Sequence, residues 1–168
     1  MKIQTLIKLL FSVLMIFTLL LLPSTISKAS ATTKVTKQPI TEKAPTYITS
    51  FKYDHGKWIG KFDYIQWYFG KAADREFLKD CNCRKDMDHA PDGYWIRNVN
   101  PKIRTFTISK NAQYVLQTRN LYYIKWNEKV TRSQFITFLT QQDKRHQIPF
   151  HIEVKNGVVT KITQQYIP

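Results

Sequence analysis

Acidic residues are scarce in this chain: twelve Asp and Glu stand against twenty-six Lys and Arg in 168 residues, a formal net charge of +14. That imbalance turns attention from cationic partners to anionic ones. Cysteine is scarcer still, with Cys81 and Cys83 as the only pair. A structural zinc site takes four ligands, usually from two separated pairs, and no second pair exists. Neither H-E-x-x-H nor G-x-S-x-G occurs, and His55, His89, His146 and His151 are scattered without a histidine at i+4. The spacings that signal the common hydrolases are therefore missing. No run of five or more like charges marks a binding arm. No internal repeat is visible.

Long apolar runs are limited to one. Leu9 to Leu22 is fourteen residues, preceded by Lys2 and Lys8 and ended by Pro23, with Ala29-Ser30-Ala31 behind it. These are the three parts of a secretory signal. A bilayer span takes about twenty residues, so the expectation is a leader over 1–31 rather than a retained anchor. The absence of a cysteine directly after the run argues against a lipid-modified N-terminus. From Thr32 on, twenty-three Lys and Arg face twelve acids, a charge of +11. Thr32 to Thr46 holds five threonines, two prolines, three lysines and only two aliphatics, and reads as a flexible tether over 32–46. The remainder, 47–168, contains all four tryptophans and fits one folded domain.

Within that domain, Thr46 to Tyr53 and Lys57 to Tyr68 are rich in β-branched and aromatic residues, with Asp54-His55-Gly56 as turn material. Gly70 to Asp80 carries Ala73 and Phe77 at helical spacing and predicts a short helix. Gly93 to Asn98 alternates as a strand, Asn100-Pro101 breaks it, and Arg104, Phe106 and Ile108 share a face of the next. A polar break at Ser109 to Asn111 separates AQYVLQT, and LYYIKW predicts a further strand. Thr131 and Gln134 form a capping box ahead of the stripe Phe135, Phe138, Leu139. The chain closes on a hairpin. Register favours a three-residue loop, Lys155-Asn156-Gly157, pairing Val154 with Val158 and Ile152 with Thr160, because a two-residue loop would set Lys161 opposite Ile152. The expected fold class is α+β: one sheet-rich domain, with a barrel as one form of the sheet, of about six to eight mainly antiparallel strands and two helices.

Candidate chemistry is thin. Cys81 and Cys83 suit a local, strained and reducible bridge, two free thiols or a link between molecules. Joined by His89, they offer thiolate and imidazole ligands for a metal-dependent or redox factor. Asp86, Asp88 and Asp92-Gly93 suggest calcium, but an EF-hand loop counted from Asp86 meets Pro91 and Arg97 where Gly and Glu belong. No cofactor is inferred. The aromatics Tyr64, Trp67, Tyr68, Trp95, Tyr122, Tyr123 and Trp126 lie among lysines and arginines and serve either a core or a stacking surface.

Three segments resemble a family. Asp63 to Ala73 follows D-x-x-x-W-x-x-G-x-A-A; Asp92 to Asn98 with Asn100 to Phe106 follows D-Y-Y-I-R-N-x-N-P-x-L-R-T; Val154 to Pro168 follows V-x-D-G-V-V-T-x-I-x-x-Q-Y-x-P. Together they are similar to a family of small exported or lipid-anchored proteins of Gram-positive bacteria. The resemblance implies a setting and no catalytic residue. It also suggests that Asp92, Arg97, Asn98 and Arg104 brace one another as a structural corner, with bidentate arginine bonds and asparagine bonds to the turn. The expected function is a secreted, non-enzymatic binding module at the cell envelope. Its partners would be an anionic wall polymer, a membrane surface or an acidic protein, and not nucleic acid. Two alternatives are the redox or metal factor on Cys81, Cys83 and His89, and a partner or inhibitor of another exported protein.

Overall fold

The computed structural model describes residues 40–81, 86–100, 102–119, 125–142 and 148–167. Ten elements follow in order: β1 (Thr41–Asp54), β2 (Lys57–Tyr64), β3 (Gln66–Phe69), α1 (Lys71–Asp80), β4 (Tyr94–Arg97), β5 (Ile103–Leu116), β6 (Glu128–Val130), α2 (Arg132–Gln141), β7 (Pro149–Lys155) and β8 (Val158–Gln164). The α+β expectation holds, and the sheet does close. The strand order β2-β1-β7-β8-β5 returns to its start through a β2–β5 pairing, and β6 adds to the free side of β5. Every pairing is antiparallel except β5 with β8. This path, with α2 between β5 and β7, is that of the five-stranded Greek-key barrels of OB type.

Alternation fills the barrel. Phe62, Ile108, Tyr114, Leu116, Phe150, Ile152, Val154, Val159 and Ile162 point inward and are buried. The helix α2 closes one end, as its stripe predicts, with Phe135 wholly buried against Phe51, Tyr114 and Phe150. Its capping box is formed as expected: the Thr131 hydroxyl accepts from the Gln134 N–H and the Gln134 side chain accepts from the Thr131 N–H. A second, smaller body sits outside the barrel. The β3–β4 ribbon packs on α1 around Ala73, Phe77 and Ala90, with Tyr68 and Trp95 against them.

Four local expectations are corrected. The tether ends earlier than Thr46, because Thr41 to Tyr47 pair with Lys155 to Pro149, and Ala44 and Thr46 are buried in the barrel wall. Ladder bonds and two inward side chains hold a stretch whose composition reads as loose. The expected strand Lys57 to Tyr68 is broken at buried Ile65, whose N–H donates to the Pro45 carbonyl as the chain leaves the barrel for the ribbon. The break at Ser109 to Asn111 does not end a strand; β5 runs through it, with a bulge against β8 between Ile108 and Gln113.

The last hairpin turns on two residues, Asn156 and Gly157, at φ 51° and 77°, so Val154 pairs with Val159. A bulge one step further sets Lys161 opposite Glu153 and Ile162 opposite Ile152. The lysine clash that favoured the longer loop is removed inside the strand, not at the turn. The expected strand LYYIKW falls on 121–126, of which 121–124 lie outside the described residues.

Candidate functional site

The four expected corner residues do not meet; Arg97, Asn98 and Arg104 each brace a different place. Arg97 lies on β4 above α1, where Glu76 and Asp80 present carboxylates one turn apart. Its Nε and Nη2 donate to Asp80 at 2.8 Å each, and Nη1 donates to Glu76 Oε2 at 2.8 Å. The remaining donors reach the Glu76 carbonyl and the Tyr68 hydroxyl, so all five N–H bonds are spent. Hydrogen bonds from Lys79 and then Arg97 hold Glu76 below the ordinary carboxylate range, and those from Arg97 and Trp95 do the same for Asp80. Asp92 stays exposed in the turn before β4.

Asn98 donates to Asp63 Oδ2 at 2.7 Å, tying the end of β4 to the barrel. Asn100 caps its own bend, accepting from the Lys102 N–H as expected. Arg104 enters the barrel mouth and lies 3.9 Å above the Tyr64 ring, with Nη1 donating to the Lys102 carbonyl. The Tyr64 hydroxyl is buried close to the Glu42 carboxylate. Burial, then the nearby Glu42 carboxylate, pushes its pKa well above the ordinary 10.0.

The Cys81 sulfur is held in a disulfide and offers no thiolate ligand; Cys83 lies outside the described residues. His89 bonds to Asp88, which raises the imidazole pKa and lowers that of the carboxyl. Asp86 is exposed, and no group of three metal-binding side chains occurs among the described residues. An open groove of about 380 Å³ beside them is lined by Arg75, Leu78, Lys79, Met87 and Asp88, a set with no nucleophile and base in it.

The aromatics are mostly structural. Tyr64 packs on the barrel core, Tyr68 and Trp95 on the second cluster, and Trp67 stacks on Tyr94. Trp126 is exposed and meets Tyr166 edge-on, while Tyr122 and Tyr123 lie outside the described residues.

Charge, by contrast, is sorted. The ribbon and α1 fall within residues 66–100, which hold six Lys and Arg against six acids. The rest of the described chain, the barrel with α2, holds thirteen against five, a surplus of eight. Several barrel acids are already occupied: Glu153 faces Lys43 and Lys161, Asp54 faces Lys52, and Glu128 faces Arg119.

The outward side of β2 and β5 is where the cations stand free. Trp58, Gly60 and Phe62 point in, so Lys57, Ile59 and Lys61 point out; Phe106 and Ile108 point in, so Thr105 and Thr107 point out. Register extends the surface to both sides. Lys52 pairs with Ile59, Ile59 with Thr107, Thr107 with Val158 and Val158 with Lys155. The result is a band of Ile59, Thr105, Thr107 and Val158 framed by Lys52, Lys57, Lys61 and Lys155. Lys57, Lys61 and Lys155 are exposed and make no ion pair among the described residues. The surplus of lysine was plain in the sequence; its gathering here depends on pairings that join positions 48 and 51 residues apart in the chain.

Comparison with protein-family models, with curated proteins and with solved structures gives no match to this chain. No described helix is long and apolar enough to cross a membrane.

Proposed function

We propose that this protein is an exported, non-enzymatic binding module of the cell envelope, and that the lysine-framed band on β2 and β5 receives an anionic partner. The observation that carries the reading is the sorting of charge: a surplus of eight cations on the described barrel residues beside a ribbon unit whose charges balance. Uniform lysine scatter would serve solubility alone. Concentrated, unpaired lysine attracts anions over a Debye length and draws them to one side of the molecule. Barrels of the OB type bind oligonucleotides and oligosaccharides on the face of their second and third strands, here β2 and β5, which supports the same face by analogy of fold. The leader over 1–31 and the family resemblance support the setting.

Full-length protein applied to anionic wall fragments is expected to be retained at low salt and released steeply as salt rises. Retention that ignores salt, or no retention at all, overturns the reading.

A further inference from the structure

Resting on that reading, we infer that the partner of the band is a linear phosphodiester polymer whose repeating units are aliphatic or polyol and carry no nucleobase. The cations of the band are all lysines. An ammonium is a compact point charge that meets a tetrahedral phosphate from any side, whereas planar carboxylates favour the fork of arginine. The arginines flanking this region are committed elsewhere: Arg104 lies on Tyr64, and Arg132 donates to the Ser109 and Lys110 carbonyls and the Tyr114 hydroxyl.

The centre of the band decides against nucleic acid. Single-stranded nucleic acid is held by aromatic side chains on which bases stack. Ile59, Thr105, Thr107 and Val158 offer methyl groups and hydroxyls, which suit the C–H and O–H surface of a polyol. Of the nearest aromatics, Trp58 turns inward to Phe51, and Tyr53, though exposed, lies against Trp58 at the margin of the band and not at its centre.

The path of the band decides against a bilayer. The row Lys52, Ile59, Thr107, Val158, Lys155 crosses strands β1, β2, β5, β8 and β7 of a closed barrel, a contour of about 19 Å at ~4.8 Å per strand. It therefore winds around the body. A flexible chain can follow that winding and reach all four lysines, and a planar surface cannot. Lys57 and Lys61 stand about 13 Å apart along β2, on either side of the row.

The test is fluorescence anisotropy of full-length protein with labelled poly(glycerol phosphate), alongside an oligo(dT) of equal charge and phosphatidylglycerol vesicles. Poly(glycerol phosphate) is expected to bind best, with log K falling against log salt at a slope of about −2, the three unpaired lysines at ~0.7 each. The double variant Lys57→Glu with Lys61→Glu is expected to bind at least about tenfold more weakly, with the slope reduced by roughly 1.4. Lys125→Glu with Lys129→Glu makes the same charge change away from the band and is expected to cost less than about threefold. Far-UV circular dichroism verifies that both variants are folded.

Equal losses in the two variants overturn the band while leaving a general attraction to anions in place. Tighter binding of oligo(dT), or binding of vesicles alone, overturns the assigned chemistry. Retention on wall fragments without binding of poly(glycerol phosphate) does the same. If none of the anionic probes binds, the proposed function falls with it.

Discussion

Arg97 and Lys61 carry the same formal charge in opposite settings. The Arg97 side chain is 18% exposed and gives every donor to the protein, while Lys61 is open to solvent and gives none to an acid. The first is a brace, the second an invitation. Arg97→Gln is expected to lower Tm by several degrees at neutral pH, with Arg97→Lys in between because the fork is lost and the charge kept. Both Glu76 and Asp80 have folded pKa values below their ordinary 4.5 and 3.8, so their contribution is complete above those values and disappears as pH falls through the lower folded ones. The Tm gap between wild type and Arg97→Gln is therefore expected to shrink on going from pH 7 to about pH 2, in melts followed by circular dichroism. An unchanged gap would mean that Arg97 acts through packing alone.

At the scale of elements, much of the fold could be read before any coordinate. The helix α2 announced itself through its capping box and its apolar stripe, both local signals. Thr131→Ala is expected to cost about 1 kcal/mol and Phe135→Ala about 3–5 kcal/mol in denaturant unfolding, since one removes a cap and the other empties a wholly buried site. A smaller loss for Phe135 than for Thr131 would contradict the way α2 closes the barrel. Two of the four misread places share a cause: bulges. They let β5 run past Asn111 and let a two-residue turn coexist with a lysine at position 161, and neither leaves a periodic trace. Gly60 was equally silent, although a methyl group there would come within 2.5 Å of the Phe62 ring. The acid pair Glu76 and Asp80 went unread in the sequence, because only packing of β4 on α1 shows that Arg97 is what they hold.

For the whole molecule, net charge was visible from composition, and its distribution was not, because the band is assembled from β2, β5 and the ends of β1, β7 and β8. Closure is equally non-local. The β8 strand lies between β7 and β5, and its pairing with β5 is parallel. A chain stopped after Lys155 is expected to lose the cooperative unfolding transition, with broad melts and strong dye binding to exposed apolar surface. A sharp transition in that shortened chain would show that the remaining strands close without it.

The position of β8 also sets a timetable. Any machinery that delivers this polypeptide from its N-terminus holds an unsealed sheet until β8 comes free. Tyr114, Phe150 and Ile152 stay uncovered through that interval, so whatever escorts the chain must shield its greasy interior to the last.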